Sequence, residues 1–563
     1  VTQARINCPA RLALVLVLSL TVNGAQGCAQ NGGSVEPLNA AAPSRTDEQV
    51  SPPAEFIDTT YRRPSGRVIR VSSGGAGQRD LARDLQRALD DAAPGDIIEL
   101  DETGRFVGNF VLPRKASAAR SGDKNWIVIR SAAADSRLPA PGERVSPSFE
   151  GAMPDLVSPN SDPVLRAASG AHNFRLIGIE LIAATGVNTS NLVRLGEGDE
   201  RDASLLPRDI IIDRCYIHGD DKTGLRRGIA LNSARTAVID SWISDCHLVG
   251  ADSQAICGWN GPGPFKIVNN YLEAAGENVM FGGADPKIDG LIPSDIEFKR
   301  NHCFKPLKWK SGHPDYKGTK WSVKNLFELK NARRVLIEGN VFENSWLDAQ
   351  TGYAILFKSV NQDGRAPWSA TEDVEFKNNV VRHCGGGINI QGTAADQPGG
   401  RTRRLRIVNN LFDDVNGKLW GGDGAFIKMT ETPNVTVDHN TVSQSGNIVT
   451  AYGPPSEGFV FTNNIVRHNE YGVKGDGTRP GADTLGKYFP GCIFRKNAIV
   501  DPRNAQYPAD NFSLSAAEAA AALPDGKAQM TAEARRNRRV GTDGREVGCD
   551  MQALPSVVSQ SAN

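Results

Sequence analysis

The feature that most restricts the fold is an asparagine that recurs in the same local setting along the second half of the chain. It ends a short apolar run in "IVNNYLEA" at Asn270, "FKRNHCF" at Asn301, "IEGNVFEN" at Asn340 and "FKNNVVRH" at Asn379. It does so again in "IVNNLFDD" at Asn410, "VDHNTVSQ" at Asn440, "FTNNIVRH" at Asn464 and "FRKNAIVD" at Asn497. The gaps are 31, 39, 39, 31, 30, 24 and 33 residues, uneven in length but constant in what they punctuate. That is a repeat architecture with insertions. Within each unit apolar residues alternate over short β-branched runs, the pattern of half-buried strands. In "VEFKNNVVRHCGGGINIQ" three short strands follow one another, with Asn378 and Asn379 at the first corner and Gly385 to Gly387 at the second.

If each unit is one coil of a solenoid, equivalent residues stack about 4.8 Å apart. An asparagine amide suits such a place because it can donate to one neighbouring coil and accept from the other. The glycines are expected to supply the backbone angles of the second corner.

These residues resemble the right-handed parallel β-helix of the pectate-lyase-like superfamily, whose coils carry an asparagine ladder at one turn. The resemblance runs from roughly Arg67 to Leu554 and implies an all-β, single-stranded right-handed parallel β-helix with an N-terminal capping helix, long loops and about eleven coils. "LARDLQRALDDAAPGDIIELDETGRFVGNFVLP" resembles the family's opening segment, in which an amphipathic helix plugs the core. "GTDGREVGCDM" resembles its usual exit. Both ends need cover, because an open coil exposes strand edges and apolar interior. A β-sandwich would not repeat an asparagine corner.

Arg5 and Arg11 precede the apolar run "LALVLVLSLTV", too short to span a bilayer, and "NGAQGCAQ" offers small residues around a cut. Residues 1–28 therefore read as a signal peptide of a secreted, periplasmic or extracellular protein. Cys28 is a candidate lipid-attachment site, although Ala25, Gln26 and Gly27 fit that pattern poorly. Pro, Ala and Ser content predicts a disordered linker over 29–65, the β-helix over 66–555 and a tail over 556–563. No transmembrane segment is expected. The 64 basic and 64 acidic side chains balance, which argues against a nucleic-acid or membrane-surface partner. The nine cysteines lack metal spacing and suggest buried free thiols.

In proteins resembling this one, ligands lie along the sheet made by the third strands. Alternation turns Glu328 and Lys330 outward in "NLFELK", Lys358 in "AILFKS", Asn389 and Gln391 in "GINIQ", Lys428 in "AFIKM", and Lys474 and Asp476 in "GVKGD". The segment Cys303 to Lys324, just before this stripe, carries six lysines with Trp309, Trp321 and His313. Long loops on a rigid scaffold are favoured places for binding. Tryptophan faces stack on sugar rings and lysines hold carboxylates, so the expected partner is an acidic polysaccharide bound by a monomer.

A lyase acting on a uronic acid needs a base and a cation that neutralises the carboxylate. Lys330 and Lys358 are the base candidates, since a like charge nearby favours the neutral amine, with Glu328 beside them. Trp309, Lys310, His313, Trp321, Arg365, Trp368, Asn389, Gln391 and Lys428 are the candidate substrate-binding residues. Calcium is an open cofactor, for which Glu277, Asp285 and Glu328 could supply oxygens. The alternatives are a glycoside hydrolase of the same fold, which needs close carboxylates, and a non-catalytic glycan-binding or cell-surface solenoid.

Overall fold

The computed structural model describes residues 49–72, 80–116, 126–394, 399–518 and 540–556. The expected signal peptide, Cys28 and most of the expected tail lie outside the described residues. Strands stack into three parallel sheets of 14, 14 and 12 members. One coil shows the plan: Thr371–Lys377 joins the first sheet, Val380–Cys384 the second and Gly386–Gln391 the third. Its neighbours pair in register, Val374 with Leu405, Val381 with Phe412 and Ile388 with Ile427. The third sheet, which carries the expected ligand face, has 12 strands, one more than the coils expected.

The doubled asparagine has two separate tasks. The residue before each ladder asparagine turns the corner in the left-handed region, with φ of +60° at Asn269, +57° at Asn378, +56° at Asn409 and +59° at Asn463. Asparagine tolerates that region better than most residues. The second asparagine is buried and bonds along the stack. The Asn379 backbone N–H and side-chain Nδ2 both donate to Asn410 Oδ1, at 2.9 and 3.1 Å, and Nδ2 also donates to the Ile337 carbonyl at 3.0 Å. The same pattern runs from Asn270, through every asparagine named above, to Asn511. Ser241 continues it toward the N-terminus by donating its N–H to Asn270 Oδ1 at 2.9 Å.

The glycines of "CGGGI" act differently from expectation. Gly386 and Gly387 lie inside a strand, and none of the three has a positive φ. They are needed for close approach. A Cβ on Gly385 would strike the Gly421 carbonyl oxygen, and one on Gly387 that of Phe426.

The interior is a column of apolar side chains in which aromatic rings contact from coil to coil, as in Phe342 with Phe376 at 5.7 Å and Phe461 with Phe494 at 5.1 Å. Helix Leu81–Asp91 closes the N-terminal end with Leu85, Ala88 and Leu89, its first turn capped by Asp80 accepting from the Arg83 N–H. At the other end Leu485, Tyr488 and Phe489 enter the core from helix Ala482–Tyr488 and its cap. The segment "GTDGREVGCDM" lies on the flank instead, where the Thr542 N–H donates to Asn463 Oδ1 and the Cys549 N–H to Thr441 Oγ1.

The linker expected over 29–65 is structured in its last part. Ser51 and Ala54 N–H groups donate to Asp373 and Asp295, the Thr59 carbonyl accepts from Arg175, and Ile57 is buried against Ile211, Ala237 and Val268. The segment thus runs across the outer face of the first sheet, from strand Thr371–Lys377 back toward strand His172–Ile177. Its apolar side chain and charged partners fix a composition that otherwise reads as a tether. All seven described cysteines are free thiols and five are buried. Among the described residues no helix is long and apolar enough to cross a membrane.

Candidate functional site

Two rows of side chains run along the outer face of the third sheet. Strand Phe327–Leu329 pairs with strand Tyr353–Lys358, placing Glu328 beside Leu356, and Leu356 in turn lies beside Asn389 and Asn389 beside Lys428. The other row contains Lys358, Gln391 and Thr430. Phe327 and Leu329 point into the core, so strand alternation reads these faces correctly.

The charged centre is a carboxylate under lysines. Glu328 is fully buried, and its Oε1 lies 2.9 Å from Lys358 Nζ and 3.7 Å from Lys330 Nζ, while Oε2 accepts from Asn325 at 2.8 Å. Burial disfavours the Glu328 carboxylate, yet the two ammonium groups outweigh it and hold the group below its usual range. The lysines are partly open, with side chains 14% exposed at Lys330 and 24% at Lys358, so they and not Glu328 meet solvent. The expected repulsion between the lysines is offset by the carboxylate between them.

One coil toward the N-terminus stands a second pair. Glu277, also fully buried, accepts from Gln254 Nε2 at 2.7 Å and lies 3.5 Å from Lys324, which binds Asp252 at 2.6 Å. Burial and then the neighbouring Glu328 push the Glu277 carboxyl up. Gln254, Lys324 and Asn325 were not among the sequence candidates. Gln254 starts a third-sheet strand and Lys324 and Asn325 stand just before one, and uneven gaps of 24 to 39 residues hide which of these face one another.

The other candidates scatter. Half-buried Asn389 has a buried Oδ1 without a hydrogen-bond partner, Gln391 donates to the Thr393 carbonyl at 2.9 Å, and Lys428 lies 5.2 Å from the Tyr452 ring. Arg365 is exposed on a loop that Asp285 holds by accepting from the Asp363 and Arg365 N–H groups, at 3.0 and 2.9 Å. Trp368 donates to the Leu291 carbonyl at 3.1 Å. Lys310 lies 6.0 Å from the Trp420 ring, and His313 makes its described contacts with Asp315.

Trp309 and Trp321 do not offer open faces. They are buried with Trp346, Ala275 and Val323, and Trp321 stacks on buried His247 at 3.8 Å. Their large apolar area secures the long loop to the solenoid, which removes them as sugar platforms. The calcium donor set does not assemble either. Asp285 is committed to two amide donors, Glu277 and Glu328 face lysines, and among the described residues no group of three or more metal-ligating side chains gathers.

A family model described as "Right handed beta helix region" matches residues 319–501. The chain is a right-handed parallel β-helix. No curated protein sequence matches it. Among solved structures it is similar to the catalytic unit of a thermostable GH87 alpha-1,3-glucanase from Streptomyces thermodiastaticus strain HF3-3, at 13% identity over 82% of this chain and 72% of that one, with a TM-score of 0.48. It is similar to the PL6 family alginate lyase AlyGC at 13% identity over 87% of this chain, spanning 57% of that one, with a TM-score of 0.43. The Dettilon tailspike protein is 12% identical over 79% of this chain and 70% of its own, with a TM-score of 0.41.

Proposed function

We propose that this β-helix is a secreted protein that binds an acidic polysaccharide along its third sheet and cleaves it by β-elimination. The observation that carries the reading is the pair Lys330 and Lys358, partly open to solvent and both beside the buried Glu328 carboxylate. The carboxylate below keeps Lys330 and Lys358 close together, so that the Lys330 ammonium can hold the carboxylate of a uronic acid beside the Lys358 amine. In this reading one lysine neutralises that carboxylate. Lys358, acting as the neutral amine, takes the adjacent ring proton, the freed electron pair forms the carbon–carbon double bond, and the bond to the glycosidic oxygen breaks as that oxygen takes the proton back from the Lys358 ammonium so formed. The proton acceptor and the carboxylate binder both come from this chain, and no metal step is invoked.

Glycoside hydrolysis is the second reading, favoured by one observation. Glu277 is pushed up and Glu328 down, the split that distinguishes an acid from a base. Both are fully buried beneath the lysines, which makes this reading the weaker one. The test is a panel of pectate, alginate and glycosaminoglycan substrates. Elimination yields an unsaturated product that absorbs in the near ultraviolet, hydrolysis yields reducing ends without that absorbance, and a binding solenoid yields neither. A panel with reducing ends and no absorbance overturns the lyase reading.

A further inference from the structure

The N-terminal half of the third sheet carries a second basic cluster. Arg166 on strand Leu165–Ala167 and Arg194 on strand Val193–Leu195 pair side by side in register. Arg194 has one carboxylate partner, Glu197 at 3.0 Å, and its buried Nε has no hydrogen-bond partner. The next outward positions are Ala230 and Cys257, small residues that are nonetheless only 1% exposed.

Arg227 is the best held of these. Its Nε donates to Gln254 Oε1 at 3.1 Å, its Nη1 to Asn191 Oδ1 at 3.4 Å, and its guanidinium lies 5.1 Å from the Trp259 ring. Gln254 in turn donates to Glu277, so Arg227 is fixed by the same polar chain that reaches the lysine centre. Its neighbour Arg226 is half-buried, and its buried Nε has no hydrogen-bond partner. Burial and then the adjacent Arg227 charge both push the Arg226 guanidinium down. An unmet buried N–H on Arg226, next in the chain to the fixed guanidinium of Arg227, makes a place for a planar oxyanion.

We infer that Arg226 and Arg227, consecutive at the entry to strand Arg227–Leu231, form a second oxyanion subsite, which holds a carboxylate or sulfate of the same polymer some distance from Lys358. From strand Arg227–Leu231 to strand Tyr353–Lys358 is four strand spacings, about 19 Å. The substrate class is therefore a chain acidic at several positions, and not one with an isolated uronic acid. The inference rests on the proposed polysaccharide groove.

The experiment measures binding of the full chain to end-labelled uronic-acid oligomers, two or at least eight sugars long, and to sulfated oligomers of the same lengths. The double variant Arg226→Gln/Arg227→Gln, with its melting temperature checked against wild type, should bind the long oligomers about tenfold more weakly. It should bind the short ones as wild type does. Whichever series shows the length-dependent loss identifies carboxylate or sulfate. Equal affinity of variant and wild type for the long oligomers overturns the second subsite while leaving the lysine site standing. Failure of wild type to bind any oligomer overturns both.

Discussion

Lys305 and Lys358 belong to neighbouring parts of one basic region and have opposite roles. Lys305 is fully buried, and its Nζ donates to the carbonyl oxygens of Ala274, Ala275 and Gly276 and to Asn278 Oδ1, at 2.7, 3.1, 2.5 and 2.8 Å. It ties down the corner that leads into the third sheet on the preceding coil. Lys358 pairs with a single buried carboxylate and keeps part of its surface open. A lysine count therefore says little about ligands, because the lysines of this region are divided between holding backbone, as Lys305 does, and pairing with a carboxylate at the sheet surface, as Lys358 does. What separates the two is the acceptor each one finds.

The comparison is broken most directly at Lys305. Lys305→Met takes the lysine donor from four buried oxygens, of which the Ala275 carbonyl keeps the Lys324 N–H, and should cost about 3 to 5 kcal/mol, read as a lowered denaturation midpoint. A loss no larger than that of Lys358→Ala would remove the distinction. Burial also pushes the Lys305 ammonium down to about 7 from its ordinary 10.5. The unfolded chain then binds the extra proton between these values, so stability should rise with pH from about 7 to 10.5, by at most about 1.4 kcal/mol per pH unit. Melts of wild type and Lys305→Met at pH 6 and pH 9 check this, and the variant should lack the rise.

Trp309 sharpens the same contrast in the apolar part of the loop. Because it is buried against Trp321 and Trp346, Trp309→Ala should cost about 3 kcal/mol of stability. Affinity for a short uronic-acid oligomer should not change. Calorimetry with that oligomer, beside a melt, separates the outcomes, and weaker binding with an unchanged melt would restore Trp309 as a platform.

The corner asparagines rank next. Asn379→Leu removes the acceptor for the Asn340 N–H and Nδ2 and the donor to Asn410, in the middle of the stack. The expected loss is about 1 to 3 kcal/mol, and an unchanged melting temperature would argue that the ladder is dispensable.

The repeat was legible because its physical cause is local. Asn378 bends the chain and Asn379 bonds along the stack, and each needs that residue type at its own position. Alternation likewise placed Phe327 inside and Glu328 outside. The polar chain that leads from Glu328 toward the N-terminus was less legible. Gln254, Glu277, Lys324 and Arg227 meet only through coil register, which loops of different length conceal. Trp309 and Trp321 misled for a related reason, since an aromatic ring in a long loop can face solvent or anchor the loop, and composition does not distinguish the two. The segment from Ser51 to Thr59 reads as a linker until Asp295, Asp373 and Arg175, far along the chain, are seen to receive it.

The smallest effect on stability is expected at Lys358, where the effect on function should be largest. Lys358→Ala removes the nearest cation from Glu328, but Lys330 remains at 3.7 Å and Asn325 still donates at 2.8 Å. The buried carboxylate therefore keeps partners, and the cost should be about 1 kcal/mol, below that of removing the whole charge environment. Turnover of the polymer found in the substrate panel should be lost, since the group that takes the ring proton is gone. Glu328→Gln in the Lys358→Ala background removes a buried charge that has lost its nearest cation and should recover that stability without recovering turnover. Stability and activity thus move apart in the two variants, which a purely structural lysine would not produce. Wild-type turnover by both Lys330→Ala and Lys358→Ala would place the chemistry elsewhere on the solenoid, and the Glu277 pair would become the first position to test.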